Sequence, residues 1–336
     1  LLSGRLGASL EAPDSEGYAV PAAIPVSPES IRSALERIRT HIRRTPLLDV
    51  PKGALLPDNP VTLKLEFLQH AGSFKPRGVF NTLVGAQIPA SGVAAASGGN
   101  HGAAVAYGAM RLGVKARVFV PVISSAAKVE AIRRFGAEVV QHGERYADAL
   151  ALCEAYQAES GALGIHAYDA WLTIEGQGTL AAEWEEQADL PDVLLVASGG
   201  GGLVSGIATY AKGRARVIAV EPEGSRALDA ALAAGQPVDV PVESIAADSL
   251  GARNVFARVH QACAAALDSV VLVPDEAIRA AMRLLWRDFR VAAEPGGATA
   301  LAALLCGAYL PRPGERIGVL VCGGNVDLGK LAEISA

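Results

Sequence analysis

From residue 93 onward the chain alternates short runs that are apolar on both faces with segments of helical periodicity. The apolar runs fall at 93–97, 116–120, 138–141, 193–197, 217–221, 270–273 and 317–322. Helical stretches lie near 102–112, 125–135, 145–160, 174–187, 203–212 and 275–288. A strand apolar on both faces must be covered on both, and an intervening helix returns the chain in the same direction. The pattern therefore predicts an α/β fold, parallel-rich sheets flanked by helices. Ligands of such sheets gather beyond the carboxyl ends of the strands.

Three glycine-rich turns fall at those ends: Ser97-Gly98-Gly99-Asn100-His101-Gly102, Ser198-Gly199-Gly200-Gly201-Gly202 and Cys322-Gly323-Gly324-Asn325. One or two glycines suffice for a tight strand-to-helix turn. Four in succession leave backbone N–H groups free to surround an anion at a helix N-terminus, and a phosphate suits that position. Gly200-x-Gly202-x-x-Ser205, with Glu221 closing the next strand, approaches a dinucleotide fingerprint but lacks its third glycine. A nicotinamide cofactor therefore competes until the other motifs are counted. Gly324 to Leu331 matches a phosphate-binding loop except that leucine replaces the magnesium-binding hydroxyl, and is read as coincidence.

A strand-like run at 61–67 and a helix-like run at 79–87 flank Gly72-Ser73-Phe74-Lys75-Pro76-Arg77-Gly78. By itself Lys75 reads most simply as a solvated surface lysine. Held at a tight junction between elements, however, an ammonium can be desolvated and become a usable nucleophile or base.

With 51% hydrophobic and 19% charged residues, the 336-residue chain can bury a large core and is expected to divide into two lobes. Its net charge of −5, without a basic run, points to neither nucleic acid nor an anionic membrane as partner. Cys153, Cys263, Cys306 and Cys322 are far apart with no CxxC, against a zinc site or disulfide framework and in favour of a reducing cytoplasm. No secretory signal or membrane-length apolar stretch is read, so a soluble protein is expected. Neither GxSxG nor HExxH occurs, which leaves hydrolase and metalloprotease readings unsupported. Residues 1–27, rich in Gly, Ala, Pro and Ser, read as an N-terminal extension. Ile31, Leu35, Ile38 and Ile42 then recur at helical spacing, and Thr45-Pro46 ends that helix.

In series, Ser73 to Gly78, Ser97 to Gly102, the tetraglycine turn, Glu294-Pro295-Gly296-Gly297-Ala298 and Cys322 to Asp327 resemble the pyridoxal-phosphate enzymes of the tryptophan-synthase-β fold. Among these the chain looks most like threonine and serine dehydratases and serine racemases. The resemblance implies that Lys75 carries pyridoxal 5′-phosphate as a Schiff base, beside Phe74. It implies that Gly199, Gly200, Gly201 and Gly202, with Leu203, hold the phosphate, and that Asn100 meets the ring hydroxyl. Ser97, Gly99, Asn100 and His101 would grip the substrate carboxylate, chiefly through backbone donors and the Ser97 hydroxyl. Cys322 would face the pyridine nitrogen, with Gly251 and Glu294 beside the ring. The implied partner is a small amino acid, and the implied assembly a homodimer.

Within that resemblance the expected reaction is β-elimination from L-threonine or L-serine to a 2-oxo acid and ammonia. Lys75 would act as the base. A related hydroxy amino acid such as 3-hydroxyaspartate, β-replacement, racemisation and a non-catalytic cofactor-binding role are the alternatives. Several departures matter. Cys322 stands where the family usually has serine, keeping a neutral group at the ring nitrogen. Gly98 stands where racemases carry a serine, so efficient racemisation is not expected. Glu221 matches one ligand of the family's divalent cation, but Ala227 replaces a second acid, so no metal is predicted. The chain closes soon after Cys322, and feedback through a C-terminal regulatory domain is not expected. The implied architecture is a larger cofactor domain from 28–84 and 169–336, with a smaller domain, 85–168, inserted between.

Overall fold

The computed structural model describes residues 25–335. The expected N-terminal extension lies outside the described residues through position 24. The first helix, α1 (Pro28–Ile38), starts on a capping box in which the Ser27 hydroxyl accepts the Ser30 amide, with Pro28 in the first turn. It buries Ile31, Ala34, Leu35 and Ile38. Ile42 is buried too but lies past the helix end, because the His41 amide bonds back to Ile38 O and tightens the chain into a turn.

The elements follow as β1 (Leu47–Val50), β2 (Val61–Lys64), α2 (Pro76–Gly85), β3 (Val93–Ala96), α3 (Asn100–Leu112), β4 (Ala116–Val120), α4 (Ala126–Arg133), β5 (Glu138–Gln141), α5 (Tyr146–Ser160) and β6 (Leu163–Gly164). Then come α6 (Trp171–Gln187), β7 (Val193–Ala197), α7 (Gly202–Ala211), β8 (Arg216–Pro222), α8 (Ala227–Ala234), α9 (Ala247–Leu250), α10 (Phe256–Ala266), β9 (Ser269–Val273), α11 (Asp275–Phe289), α12 (Pro295–Leu305), β10 (Ile317–Leu320) and α13 (Leu328–Ser335). One sheet has the order β1-β2-β10-β7-β8-β9 and the other β5-β4-β3-β6. Among the described strands every pairing is parallel except β1 with β2, and an isolated antiparallel bridge joins Ser73 to Gly323.

The expected strands all form, with ends shifted by a residue or two. The run at 61–67 is cut at Lys64, and Glu66–Leu68 becomes a 3-10 turn whose Phe67 amide reaches Val321 O. Helix α12 gave no periodic signal because Gly296 to Leu304 are all buried, leaving no polar face to alternate with. Strands β7 and β8, both interior to the larger sheet, are buried almost throughout.

Because β2, β10 and β7 run parallel, their carboxyl ends open on one edge of the sheet. The turns that follow them carry Lys75, Cys322 and the tetraglycine run. No helix among the described residues is long and apolar enough to cross a membrane.

Candidate active site

Lys75 occupies the position before the first turn of α2, where Pro76 needs no amide partner. Beneath it Arg77 is fully buried, its Nε and Nη2 on the two Glu66 oxygens at 2.6 and 2.9 Å. Arg77 Nη2 also lies 3.0 Å from Glu183 Oε2, and Lys64 Nζ 2.6 Å from Glu183 Oε1. Two buried cations and two buried carboxylates thus pair, and the bidentate Arg77 fork fixes the backbone from which Lys75 projects.

The Lys75 ammonium donates to Ala167 O at 2.8 Å and lies 5.0 Å from the centre of the Phe74 ring. Burial lowers its pKa to about 8, against the opposing pull of Cys322 and Glu294. About a tenth of such an amine is neutral at pH 7, far more than for an ordinary lysine.

The turn after β3 begins with Ser97, whose amide reaches Phe119 O and whose Oγ accepts the Gly99 amide at 3.3 Å. Helix α3 starts at Asn100, so the first amides of a long helix point into the cleft beside that hydroxyl. Asn100 Nδ2 donates to Glu294 Oε1 at 2.7 Å, and Asn100 Oδ1 accepts from Asn325 Nδ2 at 2.8 Å. Asn325 Nδ2 also reaches Ala71 O, joining the first and third glycine turns to the segment that carries Lys75. His101 is buried, and its Nε2 meets Ile165 O at 2.8 Å. A carbonyl only accepts, so Nε2 carries the proton. Burial, reinforced by Lys75, lowers the His101 pKa to about 3 and keeps the ring neutral.

Each tetraglycine position is needed for close approach. A Cβ on Gly199 would sit 2.7 Å from Leu250 Cα, on Gly200 2.4 Å from the Tyr168 ring, on Gly201 2.5 Å from Val259, and on Gly202 2.8 Å from Tyr168 Cα. Gly201 also has φ +78°, a left-handed conformation that glycine adopts without penalty. The amides of Gly199, Gly200 and Gly201 donate in no backbone hydrogen bond among the described residues, and α7 begins at Gly202 with Leu203 behind it. Ser198 Oγ is buried with no hydrogen-bond partner among the described residues, at a residue lining the same cleft.

Cys322 Sγ contacts Gly296 O at 3.5 Å, and burial pushes its thiol pKa up, so the thiol stays neutral. Burial raises Glu294 to about 7 although Asn100 donates to it. Gly251 closes α9, and a Cβ there would lie 2.2 Å from Ala247 O. All of these line one cleft of about 2110 Å³ between the two sheets.

Glu221 stands apart. It is fully buried, and its two oxygens accept the Leu228 and Asp229 amides at 3.0 and 2.9 Å, capping α8. This is the residue that matched one ligand of the family's divalent cation in sequence, where no metal was predicted. Among the described residues no group of three or more His, Cys, Asp or Glu is placed to hold a metal.

The sequence reading placed Ser198 and Asn325 in glycine-rich turns without giving them a role, and did not single out Tyr168 or the Ala167 carbonyl. A hydroxyl residue opening a glycine loop was a usable signal for Ser198. A main-chain carbonyl from a segment remote in sequence gives none.

A phosphorylated pyridine aldehyde fits these residues. The free amides and the orphaned Ser198 hydroxyl suit its phosphate, the Lys75 amine its aldehyde, Asn100 its ring hydroxyl, and the neutral Cys322 thiol its ring nitrogen.

Comparison with known proteins agrees. A family profile described as "Pyridoxal-phosphate dependent enzyme" matches residues 38–323. Phenylserine dehydratase of Ralstonia pickettii is 39% identical over 303 residues, covering 88% of this chain and 92% of that protein. The biosynthetic L-threonine dehydratase of Escherichia coli K12 is 38% identical over 297 residues, covering 87% of this chain but 58% of that protein. The solved structure of maize serine racemase superposes with a TM-score of 0.86 at 34% identity, covering 92% of this chain and 96% of that one. The chain belongs to the pyridoxal-phosphate-dependent enzymes of the tryptophan-synthase-β-like fold.

Proposed function

We propose that the protein eliminates water from a β-hydroxy-α-amino acid, with L-threonine and L-serine the simplest substrates, and releases a 2-oxo acid and ammonia. The observation that carries this reading is a burial-depressed lysine amine in the cleft, held beside a neutral thiol and below an anion-ready glycine loop.

When bound, pyridoxal phosphate withdraws electron density from the substrate α-carbon and makes its hydrogen acidic. The Gly199 to Gly202 amides, the α7 N-terminus and Ser198 Oγ would hold its phosphate. The first amides of α3 and the Ser97 hydroxyl orient the substrate carboxylate. Lys75 Nζ takes the α-proton, and the resulting ammonium is received by Ala167 O. The C–H electron pair becomes the Cα–Cβ double bond as the Cβ–O bond breaks, and the Lys75 ammonium returns its proton to the departing oxygen, which leaves as water. The enamine then tautomerises and is hydrolysed to the 2-oxo acid and ammonia. Cys322, kept neutral by burial, would place no charge at the ring nitrogen.

The names of the dehydratase relatives support elimination, and phenylserine dehydratase brings an aryl-substituted substrate within the same reading. Racemisation is the second reading, supported by the serine racemase relatives. It requires a proton donor on the face opposite Lys75. Gly98 offers no side chain, and a Cβ there would lie 2.7 Å from Ser124 Oγ.

A division into a larger domain (28–84 with 169–336) and an inserted one (85–168) is part of this proposal, supported by the separate four-stranded sheet. So are a homodimer, drawn from the family resemblance, and a cytoplasmic location, for which the four free thiols speak.

The test is 2-oxo acid formation from L-threonine, L-serine and their D-enantiomers, with wild-type protein and Lys75→Ala, each supplied with pyridoxal phosphate. Product from an L-substrate that disappears in the variant supports elimination. Interconversion of enantiomers without 2-oxo acid moves the assignment to racemisation.

A further inference from the structure

The connection from β6 to α6 carries a second group of side chains that the elimination chemistry does not use. Tyr168 directly follows Ala167, whose carbonyl holds the Lys75 ammonium at 2.8 Å, so its ring lies one residue from the reacting amine. That ring is fixed from several sides. It stacks on Phe256 at 5.8 Å and 9°, takes the edge of His166 at 4.8 Å, and fills the space that Gly200 leaves by lacking a Cβ. The Tyr168 hydroxyl donates to Asn254 O at 3.0 Å, which ties down the polar end of the ring.

Phe256 is held at φ +47°, an outlying conformation for a bulky residue, and its amide is pinned by Asn254 Oδ1 at 2.8 Å. Strain of this kind persists only where the surroundings over-determine it. Here it keeps the Phe256 ring parallel to Tyr168 on the cleft wall.

From the side of the four-stranded sheet the same cleft is lined by Tyr146 and Ile123, which are 48% and 76% exposed. Tyr146 lies near enough to Tyr168 to add to the effect of burial in raising the Tyr168 phenol pKa. A methyl group on the substrate β-carbon would leave this apolar surface in water. A flat ring would remove it from water and meet aromatic faces already fixed in place.

We propose that Tyr168 and Phe256 on one wall, with Tyr146 opposite, form a subsite for an aromatic group on the substrate β-carbon, so that the hydroxy amino acid preferred is a 3-aryl-serine. The inference rests on the elimination reading and names the substrate class within it.

The experiment measures kcat/KM of the holoenzyme for 3-phenylserine and for L-threonine, and repeats it with Tyr146→Ala and Tyr146→Phe. Wild type is expected to favour phenylserine at least about tenfold, as burial of a ring rather than a methyl group predicts. Tyr146→Ala is expected to reduce that ratio by about tenfold, and Tyr146→Phe, which keeps the ring, to preserve it. A wild-type preference for threonine, or a ratio unmoved by Tyr146→Ala, overturns the subsite. If neither amino acid yields a 2-oxo acid, the elimination reading fails instead. Titration of the cofactor absorbance with both amino acids then still decides the aryl preference: tighter binding of phenylserine upholds it, and equal or weaker binding overturns it.

Discussion

Lys75 Nζ and the Ala167 carbonyl are 2.8 Å apart, although the two residues are 92 positions apart in sequence. The short segment holding that carbonyl also braces the anion loop, through the Tyr168 ring against Gly200. His166 stiffens the segment by accepting the Tyr168 and Asp169 amides on Nδ1, at 3.2 and 2.8 Å. Only a neutral imidazole can do so, and burial, with Lys75 and Arg258 nearby, lowers the His166 pKa to about 4. Asp169 in turn accepts the Val259 amide from α10 at 2.8 Å. Amine and phosphate site are thus positioned by one strap.

The first prediction concerns Lys75. Its pKa near 8 means that reductive methylation of the cofactor-free protein, followed residue by residue in a mass spectrum, should show Lys75 titrating with a midpoint near 8 rather than 10.5. Between pH 8 and 10.5 the unfolded chain binds more protons at this residue, so its contribution to stability should rise with pH across that window. A midpoint near 10.5 would contradict the buried position.

Glu294 should show the opposite slope. Its folded pKa of about 7 lies above the ordinary 4.5, so the folded state holds the proton more tightly and its contribution is complete below 4.5. That contribution is lost as the pH rises through 7. In urea denaturation of the cofactor-free protein, Glu294→Gln should lose less stability than wild type over this interval. Parallel curves for the two proteins would refute the assignment.

Gly200→Ala should weaken pyridoxal phosphate binding at least about tenfold, because the new methyl must displace a ring held on both sides. Adding Tyr168→Ala should restore part of the loss. The two substitutions are in contact, so their effects on the dissociation constant should be strongly non-additive. Additive losses would show that the glycine is required for another reason.

Ser198→Ala should weaken binding of pyridoxal phosphate about tenfold, the size expected for one hydrogen bond to a charged group. Binding of unphosphorylated pyridoxal should be unchanged, and Ser198→Thr should recover the loss. Equal weakening of both ligands would place the hydroxyl away from the phosphate.

Arg77→Met should destabilise the protein by about 3–5 kcal/mol, since it leaves Glu66 and Glu183 buried with one fewer cation. Chemical denaturation measures the change. A loss below about 1 kcal/mol would mean that water reaches the cluster.

Period and punctuation alone announced the α/β class and located the central strands, because a strand covered on both faces must be apolar throughout. The same order of motifs exposed Lys75, the Ser97 to Gly102 turn and the tetraglycine loop, whose backbone demands are written in glycine. Strand β1 escaped notice because its four residues carry no distinctive pattern, and α12 because complete burial erases amphipathic contrast.

What only the tertiary structure decided were relations between distant segments. In sequence Glu221 only matched one ligand of a cation site that was not predicted, and packing shows its buried carboxylate accepting the Leu228 and Asp229 amides at the start of α8. Tyr168, Ala167 and Phe256 carry no motif, since a ring in a cleft or a carbonyl beside an amine is defined by what folds against it. Local chemistry is encoded residue by residue. The company a side chain keeps across 92 positions is set by the burial of the whole core.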